Sequence, residues 1–140
     1  MPNLTSSEVV QELNRLFAEE VEAAIRYLHL ICAVRGMDRL VVEPVLRQAF
    51  QETIQHAQII GQKLRTLGVV PELRVSLDCP PEPLSGKQAI EIALTFEDAA
   101  LEAYQDLLRR VDGDFVLEEF IRSQVAAEAQ HVAELKQLLD

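Results

Sequence analysis

Glu128 and His131 stand three apart in "AAEAQHVAEL", residues 126–135, a run otherwise made mostly of alanine and aliphatic residues. On a helix that spacing sets a carboxylate beside an imidazole. Three more polar residues fall in phase with apolar stripes. Glu20 lies between Leu16 and Tyr27, Glu97 between Ala93 and Tyr104, and His56 is in phase with Thr53 and Ile60. Their neighbours Glu19, Glu22, Asp98 and Glu102 fall off these faces. A carboxylate on a core-facing stripe is costly unless a partner or a metal compensates it. Converging in one slab of a core, three Glu and two His form a reasonable ligand set for one or two divalent cations. Such oxygen and nitrogen donors suit iron, manganese or zinc better than thiolate-seeking metals. Plainer readings stay open: a hydrogen-bonded surface pair for Glu128 and His131, exposed acids for Glu20 and Glu97, and a structural His56.

The pattern repeats along the chain. Glu20 precedes Tyr27 by seven residues and Glu97 precedes Tyr104 by seven; Glu20 to His56 spans 36 residues and Glu97 to His131 spans 34. The two halves read as one helical hairpin used twice, and a pseudo-twofold pair of hairpins suits a two-metal centre. Tyr27 and Tyr104 are core aromatics whose hydroxyls can donate to the carboxylates.

Four helices must carry these groups, for the periodicity is helical throughout and no alternating strand pattern stands out. The first opens after "TSSE", with Thr5 or Ser6 as cap, and runs to about Arg35, where Gly36 stops it. The second includes Pro44, tolerable in a first turn, and ends at "LRTLG" with Gly68. The third starts near Ser85 and breaks at "VDGD" around Gly113. The fourth runs from about Asp114 to the end. Leu67 and Leu138 are read as members of the apolar stripes. Between helices two and three lies "VVPELRVSLDCPPEPLSG", residues 69–86, with four prolines. Fully extended it reaches roughly 60 Å, against ~36 Å for a 24-residue helix, so it can return along the bundle and let helices two and three run parallel. The expectation is a single all-α domain over residues 1–140, a four-helix bundle with a long crossover at about 69–85.

Composition narrows the partners. The chain has 140 residues, about half of them hydrophobic, and no run approaches the ~20 apolar residues of a membrane span. The formal charge of −10 argues against nucleic acid or an anionic membrane as partner. "MPNLTSSEVV" lacks the features of a signal peptide, which favours a cytoplasmic location. Cys32 and Cys79 make no disulfide framework and read as free thiols.

The segments "LNRLFAEEVEAAIRYLHL", "RGMDRL", "QETIQHAQ" and "AAEAQHVAEL" resemble the ligand-bearing segments of bacterioferritin, within the ferritin-like di-iron carboxylate superfamily. The likeness covers roughly residues 10–138. It implies Glu20 and Glu97 as terminal ligands, Glu128 as a bridging ligand, and His56 and His131 as imidazole ligands. Tyr27 matches the family's tyrosine near the centre. The implied activity is oxidation of ferrous iron by oxygen or peroxide, with Glu20, Glu97 and Glu128 at the reacting centre.

Three departures qualify that resemblance. Thr53 stands three before His56, where the family pattern requires a bridging Glu. Glu52 is next door and reaches the same face with a helix rotation of about 100°; otherwise one bridge is lost and a mononuclear or zinc-filled site is favoured. Ile54 stands where the family's haem-ligating Met would be, so no haem of that type is expected. The sequence ends nine residues after His131, without the fifth helix that the resemblance links to the 24-subunit cage, so a homodimer is expected. The main rival is a degenerate bundle with a weak, mononuclear or absent metal site, serving a structural or interaction role. A third reading, an oxygenase or peroxide-reducing enzyme, requires an apolar pocket opening onto the metals.

Overall fold

The computed structural model describes residues 4–111 and 113–140. It contains four long helices: α1 (Ser6–Ala33), α2 (Arg39–Thr66), α3 (Gly86–Arg109) and α4 (Phe115–Leu139). Each end has a local cause. Thr5 and Glu8 form a reciprocal capping box at α1, Ser85 and Gln88 do the same at α3, and Asp114 caps α4 through the Leu117 amide. Gly36, Gly68 and Gly113 take positive φ values of 94°, 78° and 93° in the connections, where a side chain would be strained. The break expected at "VDGD" is present at Gly113, while Asp112 lies outside the described residues, as do Met1 to Asn3.

α1 packs chiefly on α2, and α3 on α4, as two hairpins. The crossover is strapped along α1: the Glu72 amide donates to Asn14 and the Ser76 amide to Glu22. It ends where the Arg35 amide donates to the Leu84 carbonyl and the Leu84 amide to Ala33. The start of α2 meets the start of α3 at Gly86, whose amide donates to Asp38 Oδ2 at 3.0 Å. A Cβ at Gly86 would sit 2.7 Å from that oxygen and 2.9 Å from Val42. Only glycine permits the approach. Since α2 and α3 begin at the same end, they run parallel, as the length of the crossover requires.

Three expectations are corrected. Pro44 is the sixth residue of α2, in its second turn. The amide it lacks would have bonded to Leu40, which lies in an exposed first turn where water can take the carbonyl. Leu67 is 45 % exposed because it sits past the last helical residue of α2, and Leu138 is 41 % exposed in the final turn of α4.

The apolar core is split in two. One cluster gathers Leu13, Leu16, Ile60, Leu64, Tyr104 and Ile121; the other gathers Tyr27, Leu30, Leu46, Ile90, Ala93 and Leu135. Between them lies a buried polar slab of Glu20, Thr53, His56, Glu97, Gln124, Glu128 and His131.

Candidate metal centre

All five slab residues expected from the sequence are buried, each helix supplying its polar group from mid-length. Glu128 is central: its Oε1 lies 3.2 Å from His56 Nδ1. His56 Nδ1 also lies 3.8 Å from Glu20 Oε2. On the other side His131 Nδ1 lies 3.2 Å from Glu97 Oε2. The two imidazoles stack with centroids 5.3 Å apart and planes 14° from parallel. Ligand-capable atoms of His56, Glu128 and His131 all lie within 4.8 Å of one another. Glu52 reaches the group with Thr53 still turned inward, its Oε2 meeting Nε2 of His131. No rotation of α2 is needed. Thr53 is buried but donates its hydroxyl to the Ala49 carbonyl at 2.7 Å, back along its own helix.

The tyrosines differ. Tyr104 donates to Glu20 Oε1 at 2.8 Å. Tyr27 packs edge-on against Phe96 and its hydroxyl has no hydrogen-bond partner among the described residues. Two more buried polar atoms, Gln124 Oε1 and Glu128 Oε2, also lack one. Gln124 was not picked out from the sequence. The available signal was its place four before Glu128, on the same face of α4.

Burial dominates the electrostatics. It pushes Glu20 up to about 8, with the Glu128 carboxylate adding to the shift. Burial, reinforced by Glu97, pushes Glu128 up to about 9. Burial opposes a charged His131, but Glu97 and the other carboxylates outweigh it and raise that imidazole to about 9. Burial also works against a charged Glu97, yet its interactions with His131 and Glu128 leave that carboxyl below the ordinary range. At neutral pH the slab therefore holds one imidazolium–carboxylate pair, His131 with Glu97, and protonated carboxyls on Glu20 and Glu128. Protons keep it close to neutral.

Those protons occupy atoms that cations could take. A buried carboxylate oxygen with no partner, set among imidazoles and further carboxylates, is an arrangement for which a metal ion offers compensation. The mixed oxygen and nitrogen donors fit iron, zinc or manganese. Iron therefore fits the residues present.

Two openings lead toward the slab. One, between α1 and α3, has a volume of about 270 Å³ and is lined in part by Glu19, Glu22, Arg26, Glu20 and Glu97. The other, between α2 and α4, has a volume of about 230 Å³ and is largely apolar around Glu52, His131 and Glu134. No described helix is long and apolar enough to cross a membrane.

Several solved structures share this architecture. A ferritin-like, diiron-carboxylate protein from Bacillus anthracis superposes with a TM-score of 0.83 at 24 % identity, covering 98 % of this chain and all of its own. A dodecameric thioferritin from Bacteroides fragilis, described as bacterioferritin-related, gives 0.88 at 22 % identity over 98 % of this chain and 87 % of its own. A Dps protein from Bacillus brevis gives 0.86 at 15 % identity over 98 % and 100 %. At these identities the likeness speaks for the fold. No curated protein matches the sequence significantly. The model of the ferritin-like domain matches residues 10–140, nearly the whole chain and every residue of the slab, and the chain belongs to the ferritin family.

Proposed function

We propose that this protein takes ferrous iron as its substrate at the slab and oxidises it with oxygen or peroxide, in iron handling or oxidative-stress protection. The observation that carries the reading is Glu128: 1 % exposed, 3.2 Å from the His56 imidazole, within 4.8 Å of a ligand atom of His131, and with one oxygen lacking any partner among the described residues. Glu20 and His56 would hold an ion on one side, Glu97 and His131 on the other, with Glu128 shared. Iron supplies the electrons, one per ferrous ion. The chain fixes the donors, keeps bulk water out of a buried slab, and gives up the protons on Glu20, Glu128 and His131 when cations enter. Tyr104 holds one Glu20 oxygen and leaves the other facing His56. The test is to titrate anaerobic metal-free protein with ferrous iron, admit air and follow ferric absorbance. Uptake above a Glu128→Ala, His131→Ala control supports the reading; its absence removes it.

Thr53 favours a second reading. With that hydroxyl turned to Ala49, α2 offers no internal bridging carboxylate, and a bundle with one weakly held ion, or none, would serve as a structural or interaction protein. It predicts a melting temperature indifferent to chelator and to added iron. The oxygenase reading draws its support from the largely apolar α2–α4 opening beside His131. We further propose a cytoplasmic homo-oligomer. Sedimentation distinguishes the expected homodimer from a dodecamer such as the Bacteroides fragilis protein forms.

A further inference from the structure

We infer that Glu52 is a positioning residue for His131, not a replacement for the missing bridge, and that it makes the two halves of the centre unequal. The consequence for metal binding rests on the iron reading above; the bracing of the ring does not.

The placement of the two ring nitrogens carries the inference. His131 Nδ1 faces Glu97 Oε2 inside the slab, while Nε2 meets Glu52 Oε2 on the side of the α2–α4 opening. Glu52 and Glu97 thus take opposite edges of one imidazole. A carboxylate engaged at the outer nitrogen has the ring between itself and the space that Glu97 and Glu128 face. Glu52 is itself held, since Gln48, one turn earlier on α2, donates from Nε2 to Glu52 Oε1 at 3.1 Å. Gln48, Glu52, His131 and Glu97 therefore form one chain of contacts leading from the surface opening into the slab.

The second hairpin has no equivalent at the matching position. Glu52 lies four before His56, and the matching position four before His131 is Ala127. Alanine offers no acceptor, so α4 cannot brace His56 as α2 braces His131. His56 is engaged at Nδ1, by Glu128 and Glu20. A ligating histidine whose other N–H is held by a carboxylate has a fixed tautomer and ring orientation and is a better ligand for it. The His131 side is accordingly the tighter position and fills first.

The test uses the full chain in three forms: wild type, Glu52→Ala and Glu52→Gln. Glu52 is on the partly exposed rim, with its side chain 33 % accessible, and circular dichroism checks that the variants fold. In metal-free protein, ring-¹⁵N NMR should show a hydrogen-bonded His131 Nε2–H in wild type. It should be lost in Glu52→Ala and kept in Glu52→Gln, with His56 unchanged in both. Calorimetric titration with zinc should then give the same number of ions per chain in all three forms. One affinity should fall about 10–100-fold in Glu52→Ala, and less in Glu52→Gln. Loss of an ion from the stoichiometry of Glu52→Ala would make Glu52 a ligand and overturn the inference. An unchanged His131 signal would overturn it too. If wild type takes up neither zinc nor iron, the metal reading fails, while the ring signals still decide the role of Glu52.

Discussion

The two hairpins carry the same set of residues at nearly the same spacings, yet they build unlike halves of one centre. Glu20, Tyr27 and His56 come from the first; Glu97, Tyr104 and His131 from the second. Three before each histidine the copies part: Thr53 turns back to its own helix, while Glu128 enters the slab. Four before each they part again, with Glu52 holding His131 and Ala127 holding nothing comparable. The tyrosines are unequal as well, Tyr104 bonded to Glu20 and Tyr27 unpartnered. A repeated motif thus fixes where the groups sit, while single positions between the repeats decide how evenly they are supported. On the proposed metal reading, one carboxylate, Glu128, would be shared by the two halves.

The largest expected effect comes from removing that shared carboxylate. Glu128→Gln should cut metal affinity by at least about 100-fold, since the ligand charge common to both halves is gone. At neutral pH it should barely change the stability of metal-free protein, because Glu128, pushed up to about 9, is already neutral there. Calorimetry and thermal melts on one sample check both parts.

Thr53→Glu would restore the symmetry. In metal-free protein it adds a carboxyl to a site where Thr53 is 1 % exposed, and should cost about 2–4 kcal/mol. Saturating zinc or ferrous iron should recover much of that loss and bring the two ion affinities closer together. Melting curves with and without metal, alongside a titration, measure the outcome.

pH separates the proton-filled slab from the metal-filled one. Glu20 and Glu128 stay protonated in the fold up to about 8 and 9 but ionise from 4.5 upward once unfolded. The stability of metal-free protein therefore falls as pH climbs through that interval. His131 acts in the same direction: its contribution is complete below 6.5 and lost as pH passes about 9. Glu97, held below its ordinary value, contributes stability above 4.5 that is lost on acidification. Metal-free protein should lose stability steadily from pH 5 to pH 9 and melt several degrees lower at pH 9. Bound cations need the same groups deprotonated, so the metal-induced rise in melting temperature should grow over that range. Melts from pH 5 to 9 with and without zinc read both slopes.

The smallest effects concern the tyrosines. Tyr104→Phe leaves a Glu20 oxygen unpartnered and should cost about 1–2 kcal/mol. Tyr27→Phe removes a buried hydroxyl that bonds to nothing among the described residues and should leave stability unchanged or raise it by up to about 1 kcal/mol. Denaturant unfolding of the two variants side by side measures the asymmetry directly.

Much of the bundle is legible in the sequence. A cap at Thr5 or Ser6, helix starts near Ser85 and Asp114, stops at Gly36, Gly68 and Gly113, and the proline-rich crossover are local features, each acting through a few neighbouring residues. The place of Glu20, His56, Glu97, Glu128 and His131 on inward faces followed from helical period alone, because a side chain in phase with buried leucines is buried with them. Gln124 was missed although the same rule applied, for a buried amide with no partner announces itself only when its surroundings are known.

Sequence by itself determined which groups lie at mid-helix, which way they face and how the chain returns between hairpins. Tertiary structure alone decided that Glu52 meets the outer nitrogen of His131, that Tyr104 bonds across to Glu20, and that Asp38 turns from its own helix to the first amide of α3. The physical reason is distance along the chain. Periodicity and capping act over three or four residues, whereas these contacts join residues 48 to 84 apart, and their partners are set by how four packed helices rotate against one another.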